Sequence, residues 1–150
     1  MPQSLSRILV HLVFSTKDRA PLLRQPLRDE LFVYLGGVLR EHGCQPIKIG
    51  GVEDHVHVFF GLSRTMSLSE AVGLVKTSSS RWVKSKGAAY SDFAWQAGYG
   101  AFSVSQSSAD AVASYVAAQE EHHRARDFRD EFRGLLVRHN VEFDERYLWE

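Results

Sequence analysis

Residues 5–15 (LSRILVHLVFS) form a nearly continuous apolar run, rich in β-branched and aromatic side chains, which predicts a buried strand. Lys17, Asp18 and Arg19 fall in the turn after it, and Pro21 and Pro26 punctuate the loop beyond. Leu27, Leu31, Tyr34, Leu35, Val38 and Leu39 then recur at helical spacing, and His42-Gly43 supplies a stop. Residues 45–51 (QPIKIGG) predict a second strand and residues 55–61 (HVHVFFG) a third, close enough to pair as a hairpin. Leu68, Val72, Val75 and Trp82 mark a second helix, opened by the Ser67/Ser69 capping region and closed near Gly87. Residues 95–104 (WQAGYGAFSV) supply the last strand, with Gly98 and Gly100 marking a bulge. A Ser-rich connector, residues 105–108, leads into a third helix over 109–123, and Phe128–Arg138 forms a fourth. Residues 141–150 read as irregular. The order β-α-β-β-α-β predicts an α+β ferredoxin-like sandwich, an antiparallel sheet with helices on one face, extended by a C-terminal helical segment that carries Tyr115.

The length, 150 residues, suits one domain spanning the chain. With 44% hydrophobic residues the chain is too apolar to stay disordered. No apolar run reaches the ~18 residues of a membrane span, so no membrane partner is expected. The N-terminus does not begin as a signal peptide does, and the lone Cys44 excludes an internal disulfide; both point to the reducing cytoplasm.

Formal charge is zero, which by itself argues against a polyanion partner. The distribution changes that. Residues 1–90 hold 12 basic against seven acidic side chains, whereas residues 91–150 hold six against eleven. Within residues 64–86 the count is five basic to one acidic, so a phosphate-binding face is expected on the first part of the chain. Lys76, Arg81, Lys84 and Lys86 are the candidate phosphate contacts, with Lys17 and Arg19 as a second group. Trp82 and Trp95 could stack on unpaired bases but fit the core better. Arg124, Arg126 and Arg129 interleave with acids, as a solvated or dimer-facing surface does.

The candidate chemistry lies in two places. His55 and His57 are two apart on a strand and leave the same face, so both imidazoles can converge on one divalent cation. A single His on a strand is ordinarily satisfied by hydrogen bonds alone; two in so apolar a stretch cost free energy unless paired or coordinated. On the third helix Tyr115 and Gln119 stand at i and i+4, neighbours on one face, with His122 and His123 a turn further on. A tyrosine there can simply edge the core; beside a metal and a phosphate its phenolate could instead act as nucleophile. The Gln119 carboxamide oxygen suits a hard cation such as Mg²⁺ or Mn²⁺.

DHVHVFF (residues 54–60), VKTSSSRW (75–82), WQAGYGAFSV (95–104) and YVAAQEEHH (115–123) occur in one order, flanked by VFSTKDR (13–19) and DERYLW (144–149). The series resembles the small single-tyrosine transposases of the HUH nuclease superfamily, including REP-associated tyrosine transposases, over nearly the whole chain. The resemblance implies metal ligands at His55, His57 and Gln119 and a nucleophile at Tyr115. It implies cleavage and transfer of single-stranded DNA through a 5′-phosphotyrosine, with Mg²⁺ or Mn²⁺ and often at a hairpin. It further implies a homodimer in which the tyrosine helix can serve the partner's site in trans. Two other readings stay open at this point: an inactive relative that binds hairpin DNA without cutting it, and a ferredoxin-like metal-binding enzyme for small molecules.

Overall fold

The computed structural model describes residues 2–149. Strand β1 (Leu9–Ser15) is followed by a 3-10 turn and helix α1 (Leu27–Glu41). The hairpin β2 (Gln45–Gly51) and β3 (His55–Gly61) leads to α2 (Leu68–Lys84), and β4 (Gly100–Val104) closes the sheet. Three helices follow: α3 (Ala109–Ala117), α4 (Gln119–Ala125) and α5 (Phe128–Arg138). All strand pairs are antiparallel, in the order β2-β3-β1-β4, which is the ferredoxin-like arrangement that the element order predicts.

Because side chains alternate along a strand, β1 and β3 build two different faces. Val10, Leu12 and Phe14 of β1 join Val56, Val58 and Phe60 of β3 in one core, against Leu31, Leu35 and Leu39 of α1 and Val72, Val75 and Val83 of α2. The other face carries Leu9, His11 and Val13 opposite Phe59 and His57. It is covered by α3, packed through Val116 on Leu9 and Phe59, and by α5, packed through Phe128, Phe132 and Leu135 on Val13 and Phe102. Helices therefore lie on both faces: the expected pair on one, and the chain after β4 on the other.

Three expectations shift. The first strand starts at Leu9, not Leu5, which is 74% exposed. Trp95 makes only an isolated bridge with Thr16, and β4 starts at Gly100 after Gly98 turns the chain with φ +84. The helix expected over 109–123 breaks at Ala118 (φ −99, ψ 25), where one backbone N–H is shared between the Ser114 and Tyr115 carbonyls. As expected, Trp95 belongs to the core, its indole donating to Ser79 Oγ at 2.9 Å, and Trp82 packs against that core, stacked on Tyr34. The α5 expectation matches residue for residue, with Asp127 capping its N-terminus through the Asp130 N–H.

Two glycines let the second layer approach the sheet. A Cβ on Gly50, which faces His57 in the ladder, would overlap the Val116 carbonyl at the end of α3. A Cβ on Gly100 would come 2.8 Å from the Phe132 ring of α5. Both helices thus lie directly on bare backbone, close beside the two histidines.

Candidate active site

His55 and His57 are fully buried on the face that α3, α4 and α5 cover. Their inward ring nitrogens meet one carboxylate oxygen: Glu131 Oε1 lies 3.0 Å from His57 Nε2 and 3.3 Å from His55 Nε2. His123 Nε2 comes within 3.2 Å of the same oxygen. The other Glu131 oxygen accepts the hydroxyl proton of Tyr115. Gln119, 1% exposed, sets its Oε1 3.3 Å from His55 Nε2 and 3.1 Å from His123 Nε2. Its amide nitrogen donates to the Tyr115 carbonyl, which also accepts from the Ala118 N–H at the end of α3. The Gln119 side chain is thus tied back to the turn that carries Tyr115.

The outward nitrogens of both histidines are held as well. His55 Nδ1 donates to Asp54 Oδ1 at 2.7 Å, and His57 Nδ1 lies 2.7 Å from His11 Nε2. Burial pulls the His55 ring down, but hydrogen bonds to Asp54 and Glu131 prevail and raise it above the ordinary histidine value. With an acceptor at each nitrogen, His55 is favoured in its protonated form between two carboxylates. Burial holds His57 at about 4, against the opposing pull of Glu131, and His11 at about 3. Both are neutral, so His57 donates from Nε2 to Glu131 and accepts at Nδ1 from His11. Burial would raise Glu131, but hydrogen bonds from His123, His55 and His57 hold it far below the usual carboxylate range. Burial, together with the bond to Glu131, raises the Tyr115 phenol, so the metal-free site holds it protonated.

The donor chemistry fits a divalent cation. Ligand atoms of His55, His57 and Glu131 lie within 4.8 Å of one another, and all three residues are buried. Each histidine has its second nitrogen fixed by an outer partner, as metal-bound imidazoles generally do. A cation would replace the protons now shared among these groups, leaving both Nε2 lone pairs inward.

The structure brings together all four residues singled out in the sequence, His55, His57, Tyr115 and Gln119, within one chain. It adds His11, Glu131 and Arg28, which the sequence does not single out, and brings in His123, which the spacing places a turn beyond Gln119. Buried Arg28 donates to Glu120 at 2.8 Å and to the Leu23 carbonyl, tying α4 to the first residues of α1. The basic candidates divide differently. Arg81, Lys84 and Lys86 are exposed on or just past α2, in the layer opposite the histidines, with Lys86 lying over the Trp82 ring. Lys76 is not a free phosphate contact: its ammonium is half-buried and donates to the Gln96 and Gly98 carbonyls, both at 2.7 Å. Lys17 is exposed, whereas Arg19 is half-buried and faces Trp149.

The sequence profile of the family described as "Transposase IS200 like" matches residues 4–119. No curated protein matches the chain. A crystal structure of a protein from Deinococcus radiodurans R1 assigned as a transposase superposes with a TM-score of 0.62 at 21% identity, covering 77% of this chain and 95% of that one. The REP-associated tyrosine transposase bound to a REP hairpin superposes with a TM-score of 0.56 at 12% identity, covering 77% of this chain and 70% of that one. The structural likenesses show a shared fold, and the family profile spans both histidines, Tyr115 and Gln119: the chain belongs to the IS200-like transposase family.

Proposed function

We propose that this transposase cleaves and rejoins single-stranded DNA by metal-dependent attack of Tyr115 on a phosphodiester, through a covalent 5′-phosphotyrosine. One observation carries the reading: the Tyr115 hydroxyl and the Gln119 amide oxygen reach the buried pocket into which His55 and His57 point their Nε2 atoms. His55, His57 and Gln119 would hold Mg²⁺ or Mn²⁺. The bound cation supplies Lewis-acid polarisation of the phosphodiester. The Tyr115 oxygen forms the new bond to phosphorus, the bond to the 3′-oxygen breaks, and the phenol's proton ends on that oxygen as a 3′-hydroxyl. One phosphodiester replaces another, so a second 3′-hydroxyl can reverse the step without an external energy source.

Space for the strand exists beside the nucleophile. A cleft of about 480 Å³ between β4, α3 and the end of α5 is lined by His11, Ser105, Ser108, Tyr115, Arg138 and His139. It falls within the usual size of small-ligand sites and offers a guanidinium and hydroxyls to a phosphate. Arg81, Lys84 and Lys86 on the opposite layer, with exposed Lys17, offer further positive charge for sequence-independent backbone contact. The hairpin-bound relative favours a hairpin as the substrate's recognition element. Within one chain His55 and Gln119 stand 3.3 Å apart. We keep the homodimer that the family resemblance implies, in which the tyrosine helix serves either its own or the partner's site.

The test is incubation with single-stranded hairpin oligonucleotides and Mn²⁺, followed by denaturing gel electrophoresis. A covalent protein–DNA band is expected for wild type and absent for Tyr115→Phe and His57→Ala, while both variants keep much of the hairpin affinity. No band across a broad library would leave DNA binding without cleavage as the function; loss of binding in folded variants would contradict the division of labour.

A further inference from the structure

We propose that Glu131 of α5 is itself a ligand of the metal, and that its carboxylate bridges the cation to Tyr115. The inference rests on the metal-dependent reading above and names a residue beyond it: α5 lies after residue 119, where the family profile ends.

Three observations support it. Glu131 is 2% exposed, a position that a carboxylate takes only when paired or coordinated. Its Oε1 stands 3.0 and 3.3 Å from the His57 and His55 Nε2 atoms. Neighbouring ligands on one cation sit about 3 Å apart when each bond is roughly 2.1 Å, so these separations are those of donors around a shared ion. Finally, the two oxygens are already divided between tasks. Oε1 faces the imidazoles and Oε2 takes the Tyr115 hydroxyl. Placing a cation among the Nε2 atoms would leave the second contact intact and fix the phenol oxygen at a set position from the metal.

The placement of α5 supports this assignment. Phe128, Phe132 and Leu135 seat the helix on Val13 and Phe102, and Gly100 gives the Phe132 ring bare backbone to lie on. The Glu131 backbone is thus anchored on both sides, and its side chain reaches the site without strain from a mobile loop. Once the imidazoles have given up their protons to bind metal, the Glu131 carboxylate also lowers the net charge that a bound divalent cation brings to a buried place. In this account the C-terminal helix is part of the catalytic centre, and metal occupancy and nucleophile position are one equilibrium.

The experiment uses the full chain without DNA, so that it reads Glu131 whether or not cleavage occurs. Mn²⁺ binding is followed by the electron paramagnetic resonance signal of the free ion in wild type, Glu131→Gln and Glu131→Asp. Amide hydrogen exchange of α5 is measured with and without Mn²⁺, and circular dichroism verifies the fold of each variant. Glu131→Gln keeps shape and hydrogen bonding but removes the charge; it is expected to weaken Mn²⁺ binding at least about tenfold. Glu131→Asp is expected to recover part of that loss. Mn²⁺ is expected to slow exchange across α5 in wild type and to leave it unchanged in Glu131→Gln. Unchanged or tighter Mn²⁺ binding in folded Glu131→Gln would overturn the proposal, as would faster α5 exchange on adding Mn²⁺, because either would make the carboxylate a competitor of the cation. Absence of a DNA adduct in wild type would overturn the cleavage reading alone.

Discussion

His11 and His57 stack with ring centroids 5.0 Å apart, and a nitrogen of each lies 2.7 Å from the other. His11 comes from β1 and His57 from the adjacent β3, so the central pair of strands supplies both a candidate ligand and the group that orients it. Such outer partners set which nitrogen of a ligating histidine carries its lone pair. His11→Phe fills the same space but gives His57 Nδ1 no partner. It is expected to lower Mn²⁺ affinity about 10- to 100-fold while the fold persists. Isothermal titration calorimetry measures this, and unchanged affinity would remove His11 from the site.

Acid should destabilise the metal-free protein. Burial holds His11 at about 3 and His57 at about 4, below their ordinary value of 6.5. As pH falls the unfolded chain takes up these protons first, so the stability tied to the neutral rings is complete above about pH 6.5 and is lost toward pH 4. His11 alone corresponds to a loss on the order of 3 kcal/mol over that window. His55 is shifted upward and offsets part of the loss at the same pH. Urea midpoints should drop between pH 7 and pH 4.5 in wild type and drop less in His11→Phe. Equal slopes would contradict the assignment.

The layer of α3 can be displaced from below. Gly50→Ala places a methyl group against the Val116 carbonyl, next to Tyr115. Overpacking of this kind costs about 1–3 kcal/mol. The variant is expected to melt earlier and to form adduct more slowly, with hairpin affinity close to wild type. A full adduct rate in the face of a lowered melting temperature would show that α3 tolerates the shift.

Arg28 offers a control at the start of α4, beside Gln119. Arg28→Met keeps the stem and removes the charged donors to Glu120 and the Leu23 carbonyl. Loss of charged hydrogen bonds from a buried group costs about 1.5–3 kcal/mol. Hydrogen exchange over residues 119–125 should accelerate, with adduct formation reduced through Gln119. Unchanged exchange there would assign the placement of α4 to Gln119 and His123 alone.

Much of the scaffold was legible because alternation and helical spacing report burial directly. The period-2 rule put His55 and His57 on one face, and i,i+4 spacing put Tyr115 beside Gln119, although a helix break runs between them. That break is hidden: Ala117 and Ala118 are strong helix formers, and the bond from the Gln119 amide back to the Tyr115 carbonyl is a contact that spacing does not show. Glu131 is hidden in sequence because it stands among the acids that interleave with Arg124, Arg126 and Arg129, a pattern of a solvated face. The signal was present in its spacing, since Glu131 falls within the buried stripe of Phe128, Phe132 and Leu135. His11 likewise shares the parity of Leu9 and Val13, but which face of β1 would meet the histidine strand depends on pairing register. Lys76 misled for the opposite reason: its charge was visible and the two carbonyls waiting for it were not.

The central claim is that Tyr115 becomes covalently joined to DNA. Wild-type protein incubated with single-stranded hairpin DNA and Mn²⁺ should gain, by intact mass spectrometry, the mass of the 3′ cleavage fragment, and peptide mapping should place it on Tyr115. A mass gain on any other residue, or one that persists in Tyr115→Phe, would contradict the account.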